Sequence, residues 1–401
     1  MMRIEQENIP EDWNVKILGD IADVSSGGSA PQGDKYFDGE SPFVRVQHID
    51  QDTDSINRYD LITDEAVKKY KLKKYKAGTI VFPKSGASIY LEKRAVLPVD
   101  AYIASHLCAV NSAQRDVYQD FLFYSLKHIL LSKGKADGYP TLNLSEVKRV
   151  AIPVPAFEEQ KKVVRVLSVI KKAIAQQEKI IAKIKELKRS LMHRLFTYGL
   201  RGEELKETEI GLMPESWDVV SLKDIFKLTS GKTRPKQLMP NSMGNFIYPV
   251  YGGNGIMGFS EEFLIDFQTV VLGRVGEYCG CVHLTSNKSW ISDNALYAKE
   301  ILQKCSLFYL AMILEKLDLN RMRNTGGQPL ISQSIVYSHK IPFPSNKEQE
   351  EIANVILTTD KKIQQAETRT KTLRSLFKSM LQLLMTGQVR VKDIDFREIN
   401  V

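Results

Sequence analysis

PEDWNVKILGDIADVSSG, residues 10–27, recurs as PESWDVVSLKDIFKLTSG, residues 214–231. At an offset of 204, residues 9–32 and 213–236 are identical at ten of 24 positions. A second match, at an offset of 189, joins residues 138–160 to 327–349, and both copies end in Ile-Pro-x-Pro followed by Glu-Gln. The two matches predict an internal repeat in which shared ends enclose a divergent middle, and the first middle is 15 residues longer.

Each repeat ends in a segment with the pattern of a long helix. Residues 157–197 contain no Gly or Pro, and both this segment and residues 345–385 fit a heptad frame. A narrow apolar seam needs a partner, so the two helices are expected to form an intramolecular antiparallel coiled coil with pseudo-two-fold symmetry. The alternative is that each helix packs on its own domain. The seam residues are Val163, Leu167, Ile170, Ile174, Ile181, Ile184, Leu191 and Leu195 in the first helix, and Ile352, Ile356, Ile363, Ala366, Leu373, Phe377, Met380 and Leu384 in the second.

The composition is that of a globular protein with an excess of positive charge. Of 401 residues, 43% are hydrophobic and 26% charged, and the formal net charge of +8 favours polyanionic partners. The N-terminal residues lack the pattern of a secretory signal and no long apolar run occurs, so a cytoplasmic protein is expected. Cys279, Cys281 and His283 alternate as on one face of a strand, where core packing is favoured over a metal site.

Motifs of catalysis are incomplete in this sequence. SGKT, residues 230–233, lacks the earlier glycine of a phosphate-binding loop, and GNGIMG, residues 253–258, is followed by no helix start, which favours a tight turn. No Asn/Asp-Pro-Pro-aromatic tetrapeptide of a DNA-base methyltransferase and no clustered acids of a metal-dependent nuclease occur. The sequence therefore predicts a protein that neither carries out catalysis nor binds a cofactor.

The divergent middles are predicted to be mixed α/β, with basic, amide and aromatic side chains on their turns. Apolar strands at residues 79–83 and 269–273 each run into a turn with a basic residue two positions before a glycine. Arg, Asn and Gln are the usual readers of base edges, while Lys and Ser hold phosphates. The lysine run at residues 68–76 is interpreted as a solvated face that could contact phosphates. The candidate DNA-binding residues are Arg45, Gln47, His48, Lys84, Ser85, Tyr139, Lys232, Arg234, Tyr251, Asn254, Arg274, Arg323 and Gln328.

Over essentially its whole length, the chain resembles the specificity subunit of a type I restriction-modification system. The resemblance lies in the Trp-x4-Leu-x-Asp-Ile motif at residues 13–21 and 217–225, in YPVYGGNG at 248–255, in GGQP at 326–329, and in Ile-Pro-x-Pro before Glu-Gln. GYPT, residues 138–141, departs from GGQP, so a DNA contact carried over to Gln328 is less secure at Tyr139.

This resemblance implies a division of the chain into four parts. Target-recognition domains would occupy residues 1–156 and 200–344, a central long helix residues 157–199, and a C-terminal long helix and tail residues 345–401. Each recognition domain would read one half of a split, asymmetric DNA sequence. The helices would dock two methyltransferase subunits and the restriction-translocase subunits, and S-adenosylmethionine, ATP and Mg²⁺ would belong to those partners. A coiled-coil DNA-binding regulator and a self-sufficient single-chain enzyme are the alternatives.

Overall fold

The computed structural model describes residues 9–50, 53–133, 140–323 and 329–394. The chain divides into a first unit, residues 1–178 and 369–401, and a second unit, residues 179–368. The elements of the first repeat and its long helix are β1 (Asn14–Ile17), α1 (Leu18–Ile21), β2 (Ala22–Ser26), β3 (Phe37–Val44), β4 (Asp60–Ile62), α2 (Asp64–Lys69), β5 (Lys74–Tyr75), β6 (Ile80–Pro83), β7 (Ala95–Val96), β8 (Ala101–Ile103), β9 (Leu107–Ser112), α3 (Gln119–His128), α4 (Leu144–Lys148), β10 (Ala151–Val154) and α5 (Phe157–Tyr198).

The second repeat has a closely similar order of elements and opens with an additional hairpin, β11–β12. Its elements and its long helix are β11 (Leu205–Thr208), β12 (Gly211–Pro214), β13 (Asp218–Ser221), α6 (Leu222–Ile225), β14 (Phe226–Ser230), β15 (Tyr248–Gly252), β16 (Gly255–Ser260), β17 (Val270–Gly273), β18 (Val282–Leu284), β19 (Trp290–Ile291), β20 (Ala295–Ile301), α7 (Leu307–Lys316), α8 (Gln333–Tyr337), β21 (Lys340–Phe343) and α9 (Asn346–Met385).

Apart from β5, the sheets of the two repeats correspond strand by strand. The first repeat has the orders β2-β9-β6-β7 and β4-β3-β8-β5, and the second has β14-β20-β17-β18 and β16-β15-β19. In each repeat one pair is parallel, β3 with β8 and β15 with β19, and the first strand pairs with the last, β1 with β10 and β13 with β21. The mixed α/β repeat expected from the sequence is therefore confirmed. Strand β5 has no counterpart among the described residues of the second repeat.

The strands and helices expected in the divergent middles are present. β6 and β17 are buried at every position, as uninterrupted apolar runs favour. α3 and α7 supply the helical part of the mixed α/β middles, and both pack into the core of their own unit. GNGIMG forms the turn between β15 and β16 and the start of β16, which confirms the tight turn.

The shared Ser-Gly at the end of the N-terminal motif marks a close approach of two backbones. A Cβ atom built on Gly27 would lie 2.2 Å from the carbonyl oxygen of Ile103, and one built on Gly231 would lie 2.2 Å from that of Ser292. The amides of Gly27 and Gly231 bond to the carbonyls of Leu107 (3.2 Å) and Ala295 (3.1 Å) respectively. Only glycine leaves room for these contacts, which explains its presence at the same place in both copies.

The Glu-Gln motif joins the start of each long helix to the recognition fold beside it. Gln160 and Gln349 are fully buried. Gln160 Oε1 accepts from the amide of Tyr118 at 2.8 Å, and Gln349 Oε1 accepts from that of Ser306 at 2.9 Å, so each glutamine satisfies a backbone amide at the start of α3 or α7. Their side-chain amides donate to the carbonyls of Pro155 and Pro344, which come from the Ile-Pro-x-Pro motif.

The glutamate of the same motif binds an arginine that follows the other long helix. In the first unit, both oxygens of the buried Glu159 accept from Arg390, at 2.8 and 2.7 Å, and Arg390 also binds Asp12. In the second unit, Glu348 accepts from the indole of Trp217 and lies 3.5 Å from Arg201. The tryptophan motif is thus fixed at the junction with the helices in both units.

Within each unit the two long helices run antiparallel along the predicted seam. In the first unit Glu178 pairs with Arg374 at 2.8 Å. In the second, Lys185 pairs with Glu367 and Lys188 with Asp360, both at 2.7 Å. Lys188 occupies the seam position between Ile181 and Leu195, and the carboxylate of Asp360 is the partner of its charge. The seam positions are buried or half-buried along both helices, so the coiled-coil pairing is confirmed.

The alternating Cys279, Cys281 and His283 do not share one strand face, contrary to the expectation. β18 covers only Val282–Leu284, because Gly280 has φ +88 and turns the chain just before it. Across the described ranges, no helix is both long and apolar enough to cross a bilayer.

Candidate nucleic-acid interface

In the first unit, the turn that follows β6 brings three chain segments together. The amide of Lys84 donates to the carbonyl of His106 (2.9 Å), and the carbonyl of Lys84 accepts from the amide of Leu142 (2.7 Å). The Ser85 hydroxyl and His106 Nδ1 share a hydrogen bond of 2.6 Å. Gly86, at φ +78, requires the left-handed conformation that favours glycine. Lys84 and Ser85 are therefore held where these segments meet, and this turn and the turn of Arg274 in the second unit are called the two corners. No carboxylate of the described residues pairs with Lys84.

The turn after β17 in the second unit repeats this arrangement. The amide of Arg274 donates to the carbonyl of Asn294 (2.9 Å), and its carbonyl accepts from the amide of Ile331 (2.8 Å). Gly276, at φ +85, takes the role of Gly86. Arg274 Nη1 donates to the Ser230 hydroxyl at 3.0 Å, which fixes the guanidinium beside the shared Ser-Gly.

An amide side chain occupies the same topological position in both units. Val44 of β3 and Tyr251 of β15 pair in parallel with Ile103 and Ile291. Three residues beyond them, Gln47 and Asn254 are both exposed.

The turn that carries Asn254 lies beside the turn that carries Arg274. A Cβ atom on Gly253 would lie 3.4 Å from the carbonyl oxygens of Val275 and Asn294. In the second unit, an arginine and an amide thus stand on adjoining turns.

Three predicted residues turn into the fold. Arg45 Nε lies 2.6 Å from Asp60, and the guanidinium stacks near the ring of Phe37. His48 is 5% exposed; Nδ1 accepts from the amide of Arg45, and burial lowers its pKa. Tyr251 is 6% exposed and packs in an apolar cluster. These contacts support a positioning role for the three side chains and leave Gln47 as the exposed side chain of its turn.

Three further predicted residues lie near the second corner. Lys232 and Arg234 are exposed on the segment after β14, where the amide of Lys232 donates to the carbonyl of Ile291 at 3.0 Å. Arg323 is half-buried and donates to Asn320, whose side-chain amide donates to the carbonyl of Cys279.

The two residues taken from the resemblance, Tyr139 and Gln328, lie outside the described residues. The prolines that follow them are described. The amide of Gly86 donates to the carbonyl of Pro140, and that of Gly276 to the carbonyl of Pro329, each at 2.9 Å. The described segments next to Tyr139 and Gln328 are therefore bound to the same two turns.

The sequence reasoning missed His106 and Asn294. Both are exposed, both come directly before a strand of the central sheet, and each backbone carbonyl accepts from the basic residue of its turn. The strand registers make HLCAV (106–110) equivalent to NALYA (294–298) at an offset of 188, but the two stretches share no identical residue. The divergence of the middles therefore left no sequence signal for these two residues.

Among the described residues, no group of three or more His, Cys, Asp and Glu side chains is placed to hold a metal ion. The corners instead present cationic, amide and hydroxyl groups. Such groups donate and accept hydrogen bonds with phosphate oxygens and base edges.

Curated relatives match the chain from end to end. The specificity subunit of the type I restriction enzyme MjaVIII from Methanocaldococcus jannaschii is 25% identical, with 97% of this chain and 95% of the relative covered. The specificity subunit of the type I restriction enzyme EcoprrI from Escherichia coli is 22% identical, with 84% and 85% covered.

Solved structures share the fold. A type I restriction-modification S subunit from M. genitalium aligns with a TM-score of 0.61 at 17% identity, covering 95% of this chain and 98% of that one. A chain from a study of complex assembly and conformational transition in a type I system aligns with a TM-score of 0.62 at 15% identity, covering 95% and 99%. The sequence model of the type I restriction modification DNA specificity domain matches residues 10–186 and 214–374. With one match over each repeat, the chain belongs to this family.

Proposed function

We propose that this chain recognises a bipartite, asymmetric DNA sequence for a type I restriction-modification complex, with one half-site read by each repeat. The observation that carries the proposal is the pair of equivalent corners: the turns after β6 and β17 have the same backbone bonds but present different side chains. The turn of the first repeat carries Lys84 and Ser85, and the turn of the second carries Arg274, beside Asn254 on the adjoining turn between β15 and β16. Two turns that share their backbone hydrogen bonds but carry different hydrogen-bonding side chains are suited to reading two different half-sites.

A regulator without a modification partner, the alternative raised by the sequence, is not favoured. The family match covers both repeats, and the relatives above are named as specificity subunits of restriction enzymes. We infer that the chain acts in the cytoplasm.

We infer that the chain itself performs no catalysis. Transfer of labelled methyl groups from S-adenosylmethionine to DNA should require added methyltransferase subunits. Labelling of DNA by the purified chain alone would contradict this inference.

The long helices are proposed to dock two methyltransferase subunits, and through the assembled complex the restriction subunits. In the second unit, Ile180 and Leu187 lie seven residues apart on α5 and are 36% and 53% exposed, outside the seam. Apolar side chains at heptad spacing are suited to contact with a helix of another chain. Leu187→Glu should reduce copurification with the methyltransferase. Ala182→Glu, which adds the same charge at an exposed position on another face of α5, should leave it unchanged.

The test of split recognition is an exchange of one divergent middle. Residues 26–138 are replaced by the equivalent segment of another family member, and methylated sites are mapped in cells that express the complete system. One half of the recognised sequence should change while the other half stays the same. A change in both halves would contradict independent reading.

The test of the corner is Arg274→Ala in the complex with methyltransferase. Loss of a bidentate base contact should weaken binding by about 1–3 kcal/mol and relax the sequence preference within the second half-site only. The matched control is Arg321→Ala, since Arg321 is largely exposed and pairs with Asp318, three residues away. Equal effects of the two substitutions would remove Arg274 from the proposed reading surface.

A further inference from the structure

The lysine run of the first unit forms an exposed and largely uncompensated positive surface. Lys76 pairs with Asp100 at 3.0 Å, and Lys69 donates to the Tyr36 hydroxyl at 2.5 Å. The other four have no carboxylate partner among the described residues. The six exposed lysines are Lys68, Lys69, Lys71, Lys73, Lys74 and Lys76.

The residues between these lysines anchor them to the segment that follows Gly27. The Tyr75 hydroxyl donates to the carbonyl of Ser26 at 2.8 Å. The side chain of Leu72 lies over Gly28, where a Cβ atom would be 2.6 Å from Leu72 Cδ2. The amide of Gln32 donates to the Tyr70 hydroxyl at 2.9 Å. Lysines 68–76 therefore flank the strand end that adjoins the corner of Lys84 and Ser85.

In the second unit, the corresponding strand end carries its own positive charge. Gly28 and Lys232 have equivalent backbone pairing, since each forms a parallel bridge, to Ala104 and Ser292 respectively. Lys232, Arg234 and Lys236 are all exposed. At the offset of 204, the residues in the first unit are neutral: Gly28, Ala30 and Gln32.

Positive charge therefore stands at the same strand end in both repeats, but different chain segments supply it. In the second repeat it lies on the segment itself. In the first, a neutral segment is flanked by lysines from α2, β5 and the loop between them, and β5 is the strand without a described counterpart. A requirement for charge at this place explains the substitution better than a solvated face, because solvation alone would not place charge beside the same strand end twice.

We propose that lysines 68–76 are the phosphate-binding flank of the first repeat and replace the flank formed by Lys232, Arg234 and Lys236 in the second. The ligand is the sugar-phosphate backbone of duplex DNA, held without regard to sequence, because a lysine ammonium acts as a point charge on a flexible stem. The inference rests on the proposed function and adds a separation of roles, in which the flanks supply affinity and the corners supply sequence preference.

The experiment measures binding of the complex of this chain with its methyltransferase to two duplexes over a range of salt concentrations. One duplex carries the sequence identified by methylation mapping, and the other is a scrambled duplex of the same length. K71Q/K73Q/K74Q should reduce the slope of log K against log salt by about 3, since each phosphate contact contributes close to one. Both duplexes should be weakened by the same factor. K148Q/R149Q/K223Q removes three exposed charges from α4, its adjoining residue and α6, and should leave the slope unchanged.

Two more variants test the equivalence of the flanks. K232Q/R234Q/K236Q should reduce the slope by about 3 as well. Adding S29K/Q32K to K71Q/K73Q/K74Q returns two charges to exposed positions of the neutral segment and should restore about 2 of the lost slope.

The outcomes separate this inference from the proposed function. If the wild-type complex does not distinguish the two duplexes, the proposed function fails, whatever the slopes are. If it does distinguish them and K71Q/K73Q/K74Q keeps the wild-type slope, the phosphate-binding flank is refuted. Weakening confined to the specific duplex would make the lysines base readers and would also refute it. Absence of recovery with S29K/Q32K would refute the equivalence of the two segments.

Discussion

Gly231→Ala tests whether the close backbone approach at the shared Ser-Gly holds the second recognition fold together. The added Cβ would lie 2.2 Å from the carbonyl oxygen of Ser292 and 2.3 Å from that of Ile291. Neither atom is the end of a flexible side chain, so the strand end must move away from the loop after β19. That movement disturbs two hydrogen bonds, from Gly231 to Ala295 at 3.1 Å and from Lys232 to Ile291 at 3.0 Å.

The expected magnitude follows from three terms. Forcing a methyl group into a filled space costs about 1–3 kcal/mol. Weakening two hydrogen bonds costs about 0.5–1.5 kcal/mol each. Replacing glycine restricts the unfolded chain and returns about 0.4–1 kcal/mol. The free energy of unfolding of the second unit should therefore fall by about 3 kcal/mol, within a range of about 1–5.5 kcal/mol. A loss of about 3 kcal/mol lowers the melting temperature by roughly 6–12 °C for a unit of this size.

Hydrogen exchange with mass spectrometry is the suitable assay, because it reports the two units separately. Protection in β14, β17 and β20 should fall, while protection in β2, β6 and β9 should not. Gly252→Ala is the control, since its Cβ would lie 3.3 Å from the flexible Met257 side chain and 3.8 Å or more from the next atoms, which is ordinary van der Waals contact. Gly27→Ala should instead reduce protection from exchange in β2, β6 and β9 of the first unit. Wild-type protection of β14 and β20 in Gly231→Ala would refute the argument from the close approach.

Three further substitutions test the contacts of the long helices with each other and with the recognition folds. Gln349→Leu leaves the amide of Ser306 buried without its partner and should cost about 1–3 kcal/mol in chemical denaturation; a loss below 0.5 kcal/mol would mean that the motif glutamine is not structural. Ile356→Ala, at a fully buried seam position, should cost about 2–5 kcal/mol, whereas alanine at the exposed Leu376 should cost far less. Asp12→Asn should destabilise less at low pH: Arg390 holds the pKa of Asp12 at about 2, below its ordinary 3.8, so the contribution is present above about pH 4 and is lost as pH falls toward 2. An equal loss of melting temperature at about pH 6 and pH 3 would contradict the last expectation.

Much of the frame could be predicted because it is encoded by strong local patterns. The heptad spacing gave the extents of α5 and α9 to within about one residue, as is usual for long periodic helices. Uninterrupted apolar runs gave β6 and β17. The repeat offsets predicted two copies with shared ends, and the first strand pairs with the last in both copies, β1 with β10 and β13 with β21.

The side chains of the corners were harder to predict because polarity alone does not show which way a residue points. Gln47 and His48 are neighbours on one short 3-10 turn, yet the first is exposed and the second is buried against Asp60. Tyr251 lies in a glycine-rich stretch typical of a surface turn, but it belongs to β15 and faces the core. The pairing that decides both orientations, β3 with β8 and β15 with β19, joins segments far apart in sequence.

The motifs that carry the family resemblance are structural, and this explains why they identify the fold but not the DNA sequence that is read. The motif tryptophans and the Glu-Gln make buried contacts where the long helices meet the recognition folds, and the Ser-Gly makes backbone contacts between strand ends. The exposed groups at the corners stand on that frame without altering its hydrogen bonds, so they can differ freely between repeats. The exception is the first flank, where Leu72 fills the space beside Gly28. A lysine at position 28, as in the second repeat, would bring its Cβ to 2.6 Å from Leu72 Cδ2, so the Leu72 side chain would have to turn aside. A graft of residues 26–138 exchanges the strand end and Leu72 together, whereas a shorter graft that ends before residue 68 would set a new strand end against the old Leu72 and should melt at a lower temperature than the full graft.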